Sequence, residues 1–423
     1  MKSESLQLPE STDVIIVGAG IAGISAAWFL HRAGLSVVVC EKGVVAGEQS
    51  SRNWGWIRQQ GRDQAELPIV MESMRLWQEI SDQLGSNIGY QREGSLYLCE
   101  NDAELARHER FMSFAPAHGL ATSYLNRRQL EQLMTDCPQR WQSGLYTPDD
   151  GRAEPSLAVP AMASALHKAG VTIIENCAVL QILTQNSKVS GVLTEYGEIR
   201  APNVLCAGGA WTTFLLKRCG IRLPQLTVKA SVARTSAAPL IFNGNASGSS
   251  ISFRRRLDGG YTVASSDYLE ISPSASHLAF VKDFLPLISV SLGKLRIRLP
   301  ELKINGNFTR HRTLNPIPSA KTVARIKARL GDRVPALAGI ELVEAWSGMI
   351  DALPDVVPVL DRADPIDGLW ISTGFSGHGF GIGPAAGKIM ANLIQNNSVE
   401  YDLTRFRLSR FSDGSKLELG PAI

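Results

Sequence analysis

The stretch from Thr12 to Lys42 constrains this chain more than any other. Val14-Ile-Ile-Val17 is an apolar run of strand length, followed by Gly18-Ala-Gly20-Ile21-Ala22-Gly23 and an apolar helical segment. Leu35-Ser-Val-Val-Val-Cys40 is a second strand, and it ends on Glu41. Gly18 allows a tight turn out of the first strand, Gly20 lets backbone approach a ligand, and Gly23 lets the helix lie close to the sheet. The helix starting near Ile21 turns its free N–H groups and positive end toward the glycine turn, which suits a pyrophosphate. Glu41, about 20 residues beyond the glycines, stands where a carboxylate accepts ribose hydroxyls. Strand, glycine turn, helix, strand and acid in this order predict dinucleotide binding.

The bulk properties narrow the class. With 423 residues, 44% of them hydrophobic, the chain can bury more than one core, and the net charge of +3 makes no case for nucleic-acid binding. Cys40, Cys99, Cys137, Cys177, Cys206 and Cys219 show no metal-ligand spacing and read as reduced core thiols. Met1 to Pro9 lacks the basic and apolar regions of a signal peptide, and no run reaches membrane-span length. These features predict a cytoplasmic protein, at most peripheral on the inner face of a membrane.

The nucleotide-binding signals return at intervals. A helix over Leu157–Ala169 leads to a strand from Val171, and Lys188 to Ile199 reads as a hairpin around Gly197. Asn203-Val-Leu-Cys-Ala207 is a short buried strand entering the turn Gly208-Gly-Ala-Trp211. Gly368-Leu-Trp-Ile-Ser-Thr repeats that plan before Gly374, Gly377, Gly379, Gly381 and Gly383, with Pro384 in the first turn of a helix over Ala385–Ile394. A cofactor domain made of 10–55, 151–221 and 341–410 is expected. Residues 56–150 and 222–340 form a substrate-binding domain, with an added apolar and basic module near 275–320.

Two glycine-rich strand-to-helix turns in one cofactor half distinguish FAD from NAD. Gly18-Ala-Gly20-Ile-Ala-Gly23, Glu41-Lys42, Ala46 to Ser51, Val204 to Trp211 and Gly374 to Gly387 together resemble the D-amino acid oxidase and glycine oxidase superfamily. Within it the chain is most similar to the bacterial L-amino acid deaminases, through Gly47-Glu-Gln-Ser50 with Arg52, Phe253-Arg254 with Asp258-Gly-Gly-Tyr261, and Gly383-Pro-Ala-Ala-Gly387. The resemblance implies α/β plus α+β architecture: a discontinuous Rossmann-like FAD-binding domain with a mixed-sheet substrate-binding domain. It also implies non-covalent FAD. Gln49, Ser50, Ser51 and Arg52 would border the pyrophosphate and ribityl chain, and Val179 would meet the adenine. Ala207, Gly208 and Trp211 belong to the second turn, and Gly348 and Met349 are plausible ring contacts. The loop Gly374, Gly377, His378, Gly379, Phe380 and Gly381 and the helix beginning near Ile382 would face the isoalloxazine, where a helix dipole favours reduction.

For the substrate, the resemblance places a carboxylate-binding arginine at Arg254, and a guanidinium fork suits two parallel bonds to a carboxylate. Strand alternation puts Arg254 and Arg256 on one face and Arg255 on the other. The run Asn53 to Arg62 is rich in groups suited to line a pocket, with Trp54, Trp56, Arg58, Gln59 and Gln60 the candidates in it, and His378 is a candidate to tune the flavin or meet substrate. Interdomain packing of the tryptophans is an equal reading. Leu278 to Val290 continuing to Lys294, Arg296 and Arg298 mixes apolar and cationic residues, as a membrane-surface element or as core or oligomer packing. The reaction implied is oxidative deamination of an amino acid, with hydride leaving Cα for the flavin, no side-chain base, and oxygen or a quinone as final acceptor. Two alternatives stand beside it: oxidation of a secondary amine acid such as sarcosine, a proline derivative or an opine, and a flavin-bearing binding protein with little turnover.

Overall fold

Val14–Val17 form strand β1, buried along its whole length, as the unbroken apolar run requires of a parallel strand covered on both faces. The computed structural model describes residues 8–267, 269–271, 279–291, 295–297 and 309–420. β1 pairs in parallel with β2 (Val37–Cys40) on one side and with β4 (Asn203–Cys206) on the other. β3 (Thr172–Ile174) extends the sheet beyond β2, and β6 (Leu369–Thr373) extends it beyond β4. β5 (Val359–Arg362) closes that edge as an antiparallel strand. The six-stranded order is β5-β6-β4-β1-β2-β3. Strands distant in sequence thus meet side by side, and the carboxyl ends of β1, β4 and β6 open on the same edge.

Helices cover the face of this sheet that carries Val14, Ile16 and Val39. Helix α1 (Ile21–Arg32) crosses α3 (Gly379–Ile394), and small residues make the approach possible. A Cβ at Gly383 would stand 2.4 Å from Ile21 Cγ1, and one at Gly387 2.4 Å from the Ser25 carbonyl carbon. Gly23 has the same function toward the sheet, since a Cβ there would lie 2.0 Å from the Gly18 oxygen. Helix α2 (Leu67–Leu84) packs on α3 and sends Ser73 Oγ (2.7 Å) and Trp77 Nε1 (3.1 Å) to the Gly381 carbonyl.

Helix α3 begins at Gly379, earlier than the expected Ala385, and Pro384 lies inside it rather than in its first turn. Pro384 has no N–H to give to the carbonyl one turn back. The adjacent Gly381 carbonyl takes side-chain donors from α2.

The second layer is a ten-stranded sheet that includes Ser95–Cys99, Leu226–Thr235, Asn245–Ser247, Ser252–Arg255 and Tyr261–Ala264. Leu342–Ala352, expected in the cofactor domain, instead pairs along Leu226–Thr235 in this sheet and carries its far end to the first. Helix Ala320–Arg333 covers the sheet through Ile326 and Leu330. Helix Val281–Ser291 buries Phe284 and Leu287 beside Leu226 and Val356 while Val281, Leu285 and Val290 stay exposed. Leu278, Lys294 and Arg298 lie outside the described residues. Among the described residues no helix is long and apolar enough to cross a membrane.

Candidate active site

The turn after β1 is built as its glycines require. Gly18 has φ +107°, and a Cβ there would stand 2.5 Å from the Ala207 oxygen, so the turns after β1 and β4 touch only because this position has no side chain. Gly20 caps α1 without a side-chain hydrogen bond. Ser50 accepts the Ile21 N–H at 2.9 Å and fastens the polar helix Gln49–Arg52 beside that end. Glu41 accepts the N–H groups of Ala19 (2.8 Å) and Gly43 (2.7 Å), and burial raises its pKa against those donors.

These groups surround a cleft of about 1120 Å³ walled by Gly18, Gly20, Ile21, Ala22, Glu41 and Lys42 on one side. Gln49, Ser50 and Val179 form another part, and Ala207, Gly208 and Trp211 a third. Met349, Gly377, Gly379 and Phe380 close the far end. Lys42 Nζ lies 3.7 Å over the Trp211 ring and 3.8 Å from Glu48, and burial lowers its pKa. Several expected contacts stand behind this wall. Gly23 packs on the turn, Gly348 sits against Gln49, Gly374 turns with φ +76° beside Leu353, and Ile382 is in the core. Ser51 does not face the cleft, and Gly381 gives its carbonyl to α2. Arg52 faces the second cleft described below, with donors at the carbonyls of Leu314 (2.6 Å), Gly47 (2.8 Å) and Ser347 (3.2 Å).

Asp351 was missed as a wall residue, although it ends the run Trp346 to Asp351. It accepts the Gly374 N–H at 2.8 Å, and burial pushes its carboxyl up to about 6. Asn53, the first residue of the pocket-lining run, and Glu48, part of the Gly47-Glu-Gln-Ser50 match, also line the cleft.

The donor set fits FAD. A helix end without a side-chain cap faces a glycine turn, Glu41 offers a carboxylate at the end of β2, and Gln49 Oε1 is a buried acceptor with no partner.

A second cleft of about 1620 Å³ meets the first at Gln49, Asn53, Gly377 and Phe380, which line both. Trp54 and Trp56 wall it edge to face, with ring centroids 5.6 Å apart, and Ser231, Ser247 and Ser252 face it from the large sheet. Arg58 lines it and donates to Tyr97 Oη and the Gln60 carbonyl. His378 lines it too, 6% exposed, with Nδ1 3.6 Å from Glu66; burial and the Arg62 charge push its pKa down to about 4.

Two expected substrate contacts are elsewhere. Gln60 is fully buried and gives Nε2 to the Leu145 carbonyl at 2.7 Å. Arg254 is 1% exposed and lines neither cleft. Its Nη1 and Nη2 meet the two oxygens of Glu154 at 2.9 and 3.0 Å, and it also donates to Trp54 O (2.6 Å), Arg255 O (3.1 Å) and Thr262 Oγ1 (3.0 Å). A guanidinium has five N–H donors, and all five are used here. The face parity was read correctly, since Arg256 also reaches Glu154 (3.4 Å) while Arg255 turns to the Tyr261 ring. Arg62, the last residue of the pocket-lining run and given no role of its own there, is the cation that the fold brings to the cleft. It is 6% exposed and lines the second cleft, and its Nη1 has no hydrogen-bond partner. Burial, then the charge of Arg58, lowers its pKa to about 9, so it keeps its charge at neutral pH.

Comparison with known proteins decides the family. The model for the FAD dependent oxidoreductase family DAO matches residues 13–393. The chain belongs to that family. It is an FAD-dependent oxidoreductase. Among curated relatives, sarcosine oxidase subunit beta of Arthrobacter sp is 23% identical over 97% of this chain and 93% of its own length. Glycine oxidase of Pseudomonas aeruginosa is 25% identical over 93% of this chain and 97% of its own. Among solved structures, the L-amino acid deaminase from Proteus myxofaciens in complex with anthranilate superposes with a TM-score of 0.91 at 27% identity, covering 97% of this chain and 96% of that one.

Proposed function

We propose that this oxidoreductase removes hydride from the Cα of an amino acid and so deaminates it, with Arg62 as the carboxylate anchor in place of Arg254. The observation that carries this reading is the buried guanidinium of Arg62, whose Nη1 is unpartnered in a cleft that opens onto the cofactor cleft. A carboxylate supplies the missing acceptor for that donor. FAD, when bound, supplies the acceptor for the hydride and its two electrons. The chain's own groups orient the substrate. Arg62 fixes one end, Trp54, Trp56 and Phe380 hold carbon against Gly377, and water is displaced from the junction of the clefts. The oxidised substrate then hydrolyses to a 2-oxo acid and ammonium.

The relatives named sarcosine oxidase support a second reading, in which the same anchor holds an N-methyl amino acid. One anaerobic experiment separates the two. Bleaching of the flavin is followed with separate L- and D-amino acids and sarcosine, and air or a quinone analogue is then admitted. Bleaching by primary amino acids supports deamination; bleaching confined to secondary amines transfers the assignment. No bleaching by either removes the amino-acid reading. Arg62→Lys keeps the charge and loses the fork, so the substrate concentration for half bleaching should rise about 10- to 100-fold with FAD content unchanged.

A further inference from the structure

Residues 309–316 return from the large-sheet layer and lie against the loop that walls the cofactor cleft. None of them borders that cleft, yet their contacts converge on it. Lys42 Nζ donates to the His311 carbonyl, and a Cβ on Gly43 would stand 2.4 Å from the Arg312 oxygen. Arg52 donates to the Leu314 carbonyl at 2.6 Å. The Leu314 N–H meets Glu48 Oε1 at 2.9 Å, and the same oxygen accepts Trp211 Nε1 at 3.1 Å. One carboxylate therefore joins this strap, the loop after β2 and the turn after β4. Leu314 itself is buried.

Arg312 closes the arrangement from the other side. Its guanidinium grips both oxygens of Glu195, with Nη2 at 2.7 Å from Oε1, and reaches the carbonyls of Lys42 and Asn176 at 3.3 Å each. Glu195 in turn accepts the Ala178 N–H at 2.9 Å, next to Val179 in the cleft wall. A single side chain thus ties the Lys42–Glu48 loop to the strand that carries Val179. The two segments already meet through backbone, with the Asn176 N–H on the Gly43 carbonyl at 2.7 Å and the Cys177 N–H on the Glu41 carbonyl at 2.8 Å, and the guanidinium fork adds a side-chain clamp across that contact.

We propose that Arg312 is a positioning residue for the cofactor: through Glu195 it holds two walls of the FAD cleft together and sets how slowly FAD leaves. The experiment uses the holoenzyme diluted far below its FAD concentration, with release followed by the rise in free-flavin fluorescence. Arg312 and Glu195 are 37% and 18% exposed, so Arg312→Ala should speed release about five- to tenfold, and Glu195→Gln should do much the same. The double variant should be no faster than the worse single one, because both remove one interaction. The charge-reversed pair, Arg312→Glu with Glu195→Arg, should recover part of the slow release. Thermal unfolding of the FAD-free forms is measured alongside and should not differ. Unchanged release in both single variants overturns the proposal, as do fully additive effects or a matching loss of stability in the FAD-free protein. Should Arg312→Ala not fold, Arg312→Lys replaces it and must release FAD at an intermediate rate; a rate equal to the parent's overturns the proposal equally.

Discussion

Arg254→Ala is expected to damage the fold far more than substrate binding. The Arg254–Glu154 pair is 1% and 3% exposed, and removing one partner of a buried ion pair costs about 3–5 kcal/mol because the other charge is stranded. Glu154 keeps some company, since Arg256 lies 3.4 Å away and the Leu257 N–H 3.0 Å away. That places the loss near the lower end, ~3 kcal/mol, a factor of roughly 10² in the folded-to-unfolded ratio. Burial pushes the Glu154 carboxyl up, but the bonds and charge of Arg254 hold it below the usual carboxylate range. The carboxylate is thus charged in the parent, and in the variant burial acts against that charge with its main partner gone. Urea unfolding followed by tryptophan fluorescence reads the loss as a lower midpoint at constant slope. Arg254→Met combined with Glu154→Leu removes both charges together and should recover most of the stability. Flavin bleaching of the folded single variant should still saturate with substrate. A variant that unfolds like the parent but no longer saturates would refute this reasoning and return Arg254 to the substrate.

Gly387→Ala should cost at least about 1–3 kcal/mol in urea unfolding, because its Cβ would stand 2.4 Å from backbone of α1 and the helix crossing cannot yield without moving the glycine turn; an unchanged midpoint contradicts that packing. His378 makes the fold sensitive to acid. Its folded pKa is about 4, against 6.5 for the unfolded side chain, so its contribution to stability is complete above pH 6.5 and is lost as pH falls toward 4. Asp351 acts in the opposite sense, with a folded pKa of about 6 against 3.8, so its contribution falls as pH rises between those values. His378→Asn should therefore lose less stability than the parent between pH 6.5 and 4.5; equal losses by urea midpoint would contradict a buried neutral imidazole.

The cofactor half was legible because steric rules act locally. A glycine at φ +107° between strand and helix, a second pressed on the turn, and an acid ending the next strand each leave a mark in the sequence. Four buried residues in β1 carry the same message. The substrate half was less legible for two reasons. Glu154 neutralises Arg254 from 100 positions away, and strand parity says which face a side chain takes but not what already fills that face. Arg62 was not singled out beside Arg58, because Gly61 turns the chain at φ +67° between them and no regular repeat carries across it.

Gly55 joins these two failures. Its φ of +78° turns the chain between Trp54 and Trp56, which places both rings in the second cleft. A Cβ at that position would stand 2.9 Å from the Arg254 guanidinium carbon. Without one, the backbone closes over Arg254 and the Trp54 carbonyl takes its Nε–H. The glycine that brings the tryptophans to the second cleft therefore also seals Arg254 out of it. The cleft is then left with Arg62, whose unfilled Nη1 is the one buried guanidinium donor lacking a partner there among the described residues.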